Sequence, residues 1–297
     1  MVYTIECPAK INLFLNILNR NQNGYHDLQS LFTKIDLFDK LTIEKTASFE
    51  LKINSSFDKN FLENNNILEQ IFIYFKENFN LNSSVKIILD KKIPLGAGLG
   101  GGSSDGANFI KILNNIFSLN LSKSQMQKIS LKFGSDLPFF FEDGICFIEG
   151  RGDKITQLDQ QNNQDLIRQL NRCNILLINP RIFLSTPQIF ANFTRNISQK
   201  KIFYSNKILL NQLIKNNIFD LINNQGNDLE KSAFEVSYEL KILFEELNNF
   251  PKKCLRMSGS GSSIFVIFND DIQQKNCQEF LAKKYPNFLV KPIKILN

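Results

Sequence analysis

The chain has 297 residues, 43% of them hydrophobic and 22% charged, which is the composition of a globular protein with room for two domains or one large one and excludes a disordered or fibrous chain. The formal net charge of +6 is spread over lysine pairs such as Lys91-Lys92, Lys200-Lys201, Lys252-Lys253 and Lys283-Lys284; with no long basic tract it gives mild support for an anionic substrate and argues against a nucleic-acid partner. Five scattered cysteines (Cys7, Cys146, Cys173, Cys254 and Cys277) and a single histidine exclude a histidine-rich metal site and point to a reducing compartment without structural zinc.

The first residues lack a basic region and a clean apolar core, since Glu6 and Lys10 interrupt them, and no run of 18 apolar residues occurs anywhere. The expectation is a soluble, cytoplasmic protein with no membrane partner. Residues 2–6 and 11–18 read as strands, with Pro8 between them biasing Cys7 to extended backbone. In a strand Lys10 and Asn12 share one face, and Ile11, Leu13 and Leu15 take the other. Such a polar face is by itself ordinary solvent exposure. Asn23-Gly24 signals a turn leading to Tyr25 and His26. Strands follow at 35–43 and 49–53, then a polar loop at 54–60. A helix runs from Asn66 to about Phe79 with Leu68, Ile71, Phe72 and Phe75 on one side.

Val85, Ile87 and Leu89 alternate as a strand does. They lead into Lys91-Lys92-Ile93-Pro94-Leu95-Gly96-Ala97-Gly98-Leu99-Gly100-Gly101-Gly102-Ser103-Ser104-Asp105-Gly106, after which Ala107, Ile110, Leu113, Ile116 and Phe117 take helical spacing. Six glycines within eleven residues join a strand to a helix start expected at about Ser103 to Asp105, with Ser-Ser-Asp as its capping cluster. Converging N–H groups and the positive end of a helix suit a phosphate. A Walker A loop is excluded because no lysine follows the glycines. Gly96 to Gly101 matches G-x-G-x-x-G, but no acidic residue lies between Gly106 and Ser135 to hold a dinucleotide's ribose. Gly102 to Gly106 matches a nucleophile elbow, yet the one histidine, His26, stands upstream of the serine, against that family's order.

Ser122 caps a helix to about Phe133, and Gly134-Ser135-Asp136-Leu137-Pro138-Phe139-Phe140 ends it and enters a strand. On its own, Ser135-Asp136 is as readily a turn as a site. Residues 144–149 form a strand. From 157 to 169 the chain turns rich in Gln, Asn and Asp, which sets a domain boundary between 1–156 and 157–297. Residues 173–179 are a strand. Ser185-Thr186-Pro187-Gln188-Ile189-Phe190 starts a helix with Pro at its first turn, and Phe190 reads equally as core. Residues 196–206 read as a polar loop, and helices are expected at 205–215 and 228–247. Residues 253–257 and 264–268 read as strands around a second small-residue loop, Ser258-Gly259-Ser260-Gly261-Ser262-Ser263. A helix at 272–284 and a strand at 288–295 follow. The strand–loop–strand–helix–strand order suits a ferredoxin-like half.

Pro94-x3-Gly98-Leu99-Gly100 with Ser103-Ser104 resembles the ATP loop of the GHMP kinases, with two extra glycines before its Ser-Ser. Pro8-Ala9-Lys10-Ile11-Asn12-Leu13, Gly24-Tyr25-His26-x-Leu28, Gly134-x-Asp136-x-Pro138, Thr186-Pro187-x-x-Phe190 and Met257 to Ser262 resemble further motifs of one branch, in order along nearly the whole chain. The resemblance implies an α+β, two-domain fold: an N-terminal half like the second domain of ribosomal protein S5 and a ferredoxin-like C-terminal half. It implies ATP-dependent phosphorylation of the 2-hydroxyl of 4-diphosphocytidyl-2-C-methyl-D-erythritol, a cytidine diphosphate substrate of the non-mevalonate isoprenoid pathway. Lys91 and Pro94 to Ser104 (Pro94, Leu95, Gly96, Ala97, Gly98, Leu99, Gly100, Gly101, Gly102, Ser103 and Ser104) are then ATP-binding, and Gly259, Ser260 and Gly261 lie near the phosphates. Asn12, Tyr25, His26, Pro187 and Phe190 are implied on the substrate side, the aromatic rings packing on cytosine and His26 bonding its edge.

In the same resemblance Asp136 is the catalytic base and Lys10 its cationic partner. The pairing makes chemical sense: a carboxylate accepts the hydroxyl proton and an ammonium keeps it ionised. Mg2+ is expected with ATP, its protein ligands unassigned. The sequence departs from the pattern at Gly106, where the family often has Ala, and in its Asn-rich loops. A GHMP kinase for homoserine or mevalonate is the near alternative, and a catalytically dead nucleotide-binding relative or an RNA-binding protein the distant ones. Oligomeric state is not readable.

Overall fold

The computed structural model describes residues 2–20, 26–57, 66–158, 164–193 and 217–296. Tyr25, the helix expected at 205–215 and the loop expected at 196–206 lie outside them. The chain forms two compact units, Met1–Ala9, Leu37–Leu95 and Gly100–Asp143 in one, Lys10–Asp36, Gly96–Leu99 and Gly144–Asn297 in the other. They are not consecutive stretches, and a division at 157 falls within the second. Two long strands contribute to both: β1 (Val2–Arg20) and β2 (His26–Thr46), which pair with each other. β1 is continuous where the sequence suggests two strands, because the φ of proline and the extended bias of the residue before it both fit a strand.

In the first unit, β4 (Ser84–Lys91) runs antiparallel to residues 40–46 of β2 and parallel to β3 (Glu50–Ser55). Its buried face is the expected Val85, Ile87 and Leu89. Helix α1 (Ile67–Asn78) is capped by Asn66, whose side chain accepts from the Leu68 N–H, and it buries Leu68, Ile71, Phe72 and Phe75. Ten of the 16 residues of α2 (Gly101–Ile116) are buried, so this helix is core on nearly every side. α3 (Lys123–Ser130) starts at a reciprocal capping box between Ser122 and Gln125. The segment after it is not the expected strand. Leu137–Phe141 is a 3-10 turn with Pro138 in its first residues, and all five side chains are buried. Proline offers no N–H to a sheet ladder but suits a helical start.

The second unit holds an antiparallel sheet of β7 (Asn174–Asn179), β8 (Cys254–Met257), β9 (Ile264–Phe268) and β10 (Leu289–Ile293) in the order β10-β7-β9-β8. That order, fourth, first, third, second, is ferredoxin-like, as expected. Residues 28–32 of β2 pair with β5 (Cys146–Gly150), which pairs in turn with β6 (Lys154–Gln157), and β11 (Ile295–Leu296) pairs with Ile35 and Lys34. The described helices are α4 (Gln164–Asn171), α5 (Thr186–Phe193), α6 (Ile218–Gln225), α7 (Glu230–Val236), α8 (Tyr238–Asn248) and α9 (Asp271–Lys284). The single helix expected over 228–247 is two, because Ser237 takes extended backbone and its hydroxyl accepts from the Leu240 N–H to start the second. One core joins Leu15, Ile17, Leu176, Leu184, Ile189, Leu243, Met257, Val266 and Leu281.

Candidate active site

Alternating positive φ at Gly96, Gly98 and Gly100 carries the chain from β4 to α2. Gly100 caps the helix in the left-handed conformation, and the Ser104 N–H already bonds its carbonyl at 2.9 Å. The helix therefore begins at Gly101, two residues before the Ser-Ser-Asp cluster. Ser104 and Asp105 are buried inside it rather than capping it. The first-turn N–H groups have no partner within the helix. A Cβ placed on Gly102 would meet nothing within 4 Å, so the space beside this turn is open. The arrangement suits an anion.

In the second unit, the early part of this loop lies backbone to backbone on the β8–β9 loop. The Ser258 hydroxyl donates to the Gly98 carbonyl at 2.9 Å and the Ser263 N–H to the Ala97 carbonyl at 3.1 Å. A Cβ on Gly98 would sit 1.9 Å from the Ser258 carbonyl oxygen, so only glycine permits this approach. Asn227 holds the second loop from beneath, donating to the carbonyls of Met257 and Gly259 at 2.8 Å each. Gly259 and Gly261 both take positive φ, and the Ser260 hydroxyl lies 2.8 Å from that of Thr186.

Lys10 belongs to the same assembly: its N–H donates to the Leu99 carbonyl at 2.9 Å, and its ammonium donates to Asn12 Oδ1 at 2.5 Å. The ammonium also lies 4.6 Å from the Phe32 ring centroid. The Asn12 amide donates to Ser30 at 3.1 Å, and the Asn12 N–H donates to the Ser258 hydroxyl at 3.2 Å. The shared face of Lys10 and Asn12 is therefore buried, not the plain exposed face a lone strand would give.

His26 and Phe190 come together, ring centroids 5.2 Å apart and tilted by 33°, with Phe193 edge-on at 6.4 Å. Pro187 occupies the second position of α5, one turn before Phe190. Phe190 also packs against the core of its unit, so both roles open to it in the sequence are compatible.

Asp136, in the first unit, is half-buried and immediately precedes the 3-10 turn. In that unit Lys91 is the last residue of β4. Its ammonium is almost wholly buried and donates to Asp39 and to Asp105, the latter at 2.7 Å. An ammonium held by two carboxylates is a poor candidate for direct phosphate contact. Those carboxylates hold it charged well above the usual lysine range, although burial opposes this. Asp39, Ser30 and Asn227 were not singled out in the sequence. Each sits among ordinary strand or loop residues with no local pattern to mark it.

The sequence matches the family model of the GHMP kinases N terminal domain over residues 66–144 and that of the GHMP kinases C terminal domain over 210–287. It is 31% identical over 288 residues to a 4-diphosphocytidyl-2-C-methyl-D-erythritol kinase of Clostridium beijerinckii, covering 96% of this chain and 98% of the relative. It is 33% identical to the protein of that name from Thermodesulfovibrio yellowstonii, covering 98% and 99%. Among solved structures, a 4-(cytidine 5'-diphospho)-2C-methyl-D-erythritol kinase superposes with a TM-score of 0.73 at 23% identity, covering 98% of this chain and 99% of that one. The Methanococcus jannaschii mevalonate kinase gives 0.66 at 16%, covering 100% and 99%, a likeness of fold.

Proposed function

We propose that this chain, which belongs to the 4-diphosphocytidyl-2-C-methyl-D-erythritol kinases of the GHMP kinase family, transfers the γ-phosphoryl group of ATP to the 2-hydroxyl of 4-diphosphocytidyl-2-C-methyl-D-erythritol. The observation that carries the reading is the glycine loop closed on the Ser258–Ser263 loop with Lys10 and Asn12 bonded into the same network. Backbone N–H groups and a helix start then meet the nucleotide's phosphates. Lys10 stabilises negative charge developing on the transferring group, and Asp136 accepts the proton of the attacking hydroxyl as its oxygen bonds to phosphorus. His26 and Phe190 hold the cytosine, one by its edge and one by its face, with Tyr25 and Pro187 completing that side.

Magnesium accompanies the nucleotide in this reading and neutralises phosphate charge. Among the described residues no group of three or more His, Cys, Asp or Glu is placed to hold a metal ion. In this reading phosphate oxygens, water and a loop serine would hold the ion. No helix among the described residues is long and apolar enough to cross a membrane, and a cytoplasmic location goes with this reading. Phosphorus NMR of the product tests the proposal. A new monoester resonance coupled to no other phosphate supports it, and ADP formed with inorganic phosphate alone contradicts it.

A further inference from the structure

We propose that Asp39, Lys91 and Asp105 form a positioning triad that fixes the phosphate-binding end of α2 against the exit of β4, and so sets the nucleotide affinity of the glycine loop. This rests on the loop's reading as the ATP site. Asp39, wholly buried on β2, accepts from the N–H groups of Lys92 at 2.5 Å and Ile93 at 2.8 Å through Oδ1, and from the Lys91 ammonium through Oδ2. One carboxylate thus holds three consecutive residues where the chain leaves β4. The same ammonium donates to Asp105, one turn into α2, at 2.7 Å. It would also lie 3.0 Å from a Cβ on Gly101, the first residue of that helix. Buried ions of this kind are a poor source of stability, since apolar residues of equal volume pack as well. What they supply here is direction: the strand exit and the helix start are fixed to one another through a single cation.

The charge of the triad bears on an anionic ligand. With both carboxylates ionised it carries one net negative charge behind the positive end of α2; with Asp105 protonated it carries none. The groups facing Asp105 are Lys91 from β4, Asp39 from β2 and Cys7 from β1. Burial is the largest influence and, with Asp39, outweighs Lys91, pushing Asp105 up to about 7. ATP phosphates favour the neutral triad. Nucleotide affinity therefore falls as pH rises through neutrality.

The test is calorimetric binding of magnesium-ATP to the full chain across neutral pH, for the native protein and Asp105→Asn. Asparagine keeps an acceptor for Lys91 and is neutral at every pH. The native affinity is expected to fall about three- to tenfold more than that of Asp105→Asn between pH ~6 and ~8.5, the size of one charge felt at moderate distance. Asp39→Asn sets an amide donor against the Lys91 ammonium. Its KM for ATP is expected to rise about 10- to 100-fold while KM for the cytidine substrate stays within about twofold. Coincident pH profiles for the native protein and Asp105→Asn overturn the triad, whether or not Asp39→Asn folds, as does an equal rise of both KM values. Failure of the native protein to bind ATP overturns the reading of the loop itself, and the triad with it.

Discussion

Gly98→Ala perturbs the contact between the two glycine loops at its tightest point. The new Cβ would lie 1.9 Å from the Ser258 carbonyl oxygen, on a residue with a φ of +71°. A left-handed conformation costs an alanine about 1–2 kcal/mol. Separating two backbones by an ångström or more adds about 1–3 kcal/mol of overpacking. The Ser258 to Gly98 bond at 2.9 Å is lost in that movement, at about 0.5–1.5 kcal/mol. The sum is about 2.5–6.5 kcal/mol, a large part of the roughly 5–15 kcal/mol by which such a protein is stable. Gly102→Ala is the control, since its Cβ would meet nothing within 4 Å and it lies in a helix. Urea unfolding of both variants should place the Gly98→Ala midpoint roughly 1–2 M below the native one and leave Gly102→Ala near it. Equal midpoints would refute the close approach of the loops.

Asp136→Asn should lower kcat by about 10²–10⁴ while ATP still binds, and near-normal turnover would remove Asp136 from proton transfer. His26→Ala should raise KM for the cytidine substrate about 10- to 100-fold through the lost edge bond and ring contact. An equal loss of ATP affinity would contradict a base pocket at His26 and Phe190. Because burial raises the Asp105 carboxyl from 3.8 to about 7, the folded state binds the more protons between those values. Stability should then fall as pH rises from about 4 to about 7 and this contribution should level off above. Asp105→Asn should flatten that slope in urea midpoints taken across the range, and an unchanged slope would assign it to other groups.

What could be read in the sequence is what is local. Asn66 and Ser122 cap helices because a short polar side chain bonds an N–H two or three residues on, and the sequence shows the first as a helix start and the second as a cap. The glycine loops announce themselves because left-handed turns and close backbone approach leave few other residues possible. Even there the start of α2 shifts by two residues, since Gly100 supplies the turn by its φ and needs no side-chain cap. Long-range order was not readable. Lys91 looks like a loop cation until Asp39, 52 residues away in sequence, is seen to hold it. Asn227 lies 30 residues from the Met257 carbonyl it supports. The compositional change at 157 is a local feature of the sequence, whereas the compact units are discontinuous stretches, with β1 and β2 each contributing to both.

The most direct measurement is ADP release with magnesium-ATP and, separately, 4-diphosphocytidyl-2-C-methyl-D-erythritol, mevalonate and homoserine as acceptors. Turnover with the first alone is predicted, because only that acceptor carries a base for His26 and Phe190 to hold. Turnover with either of the others, or with none of the three, would contradict the account.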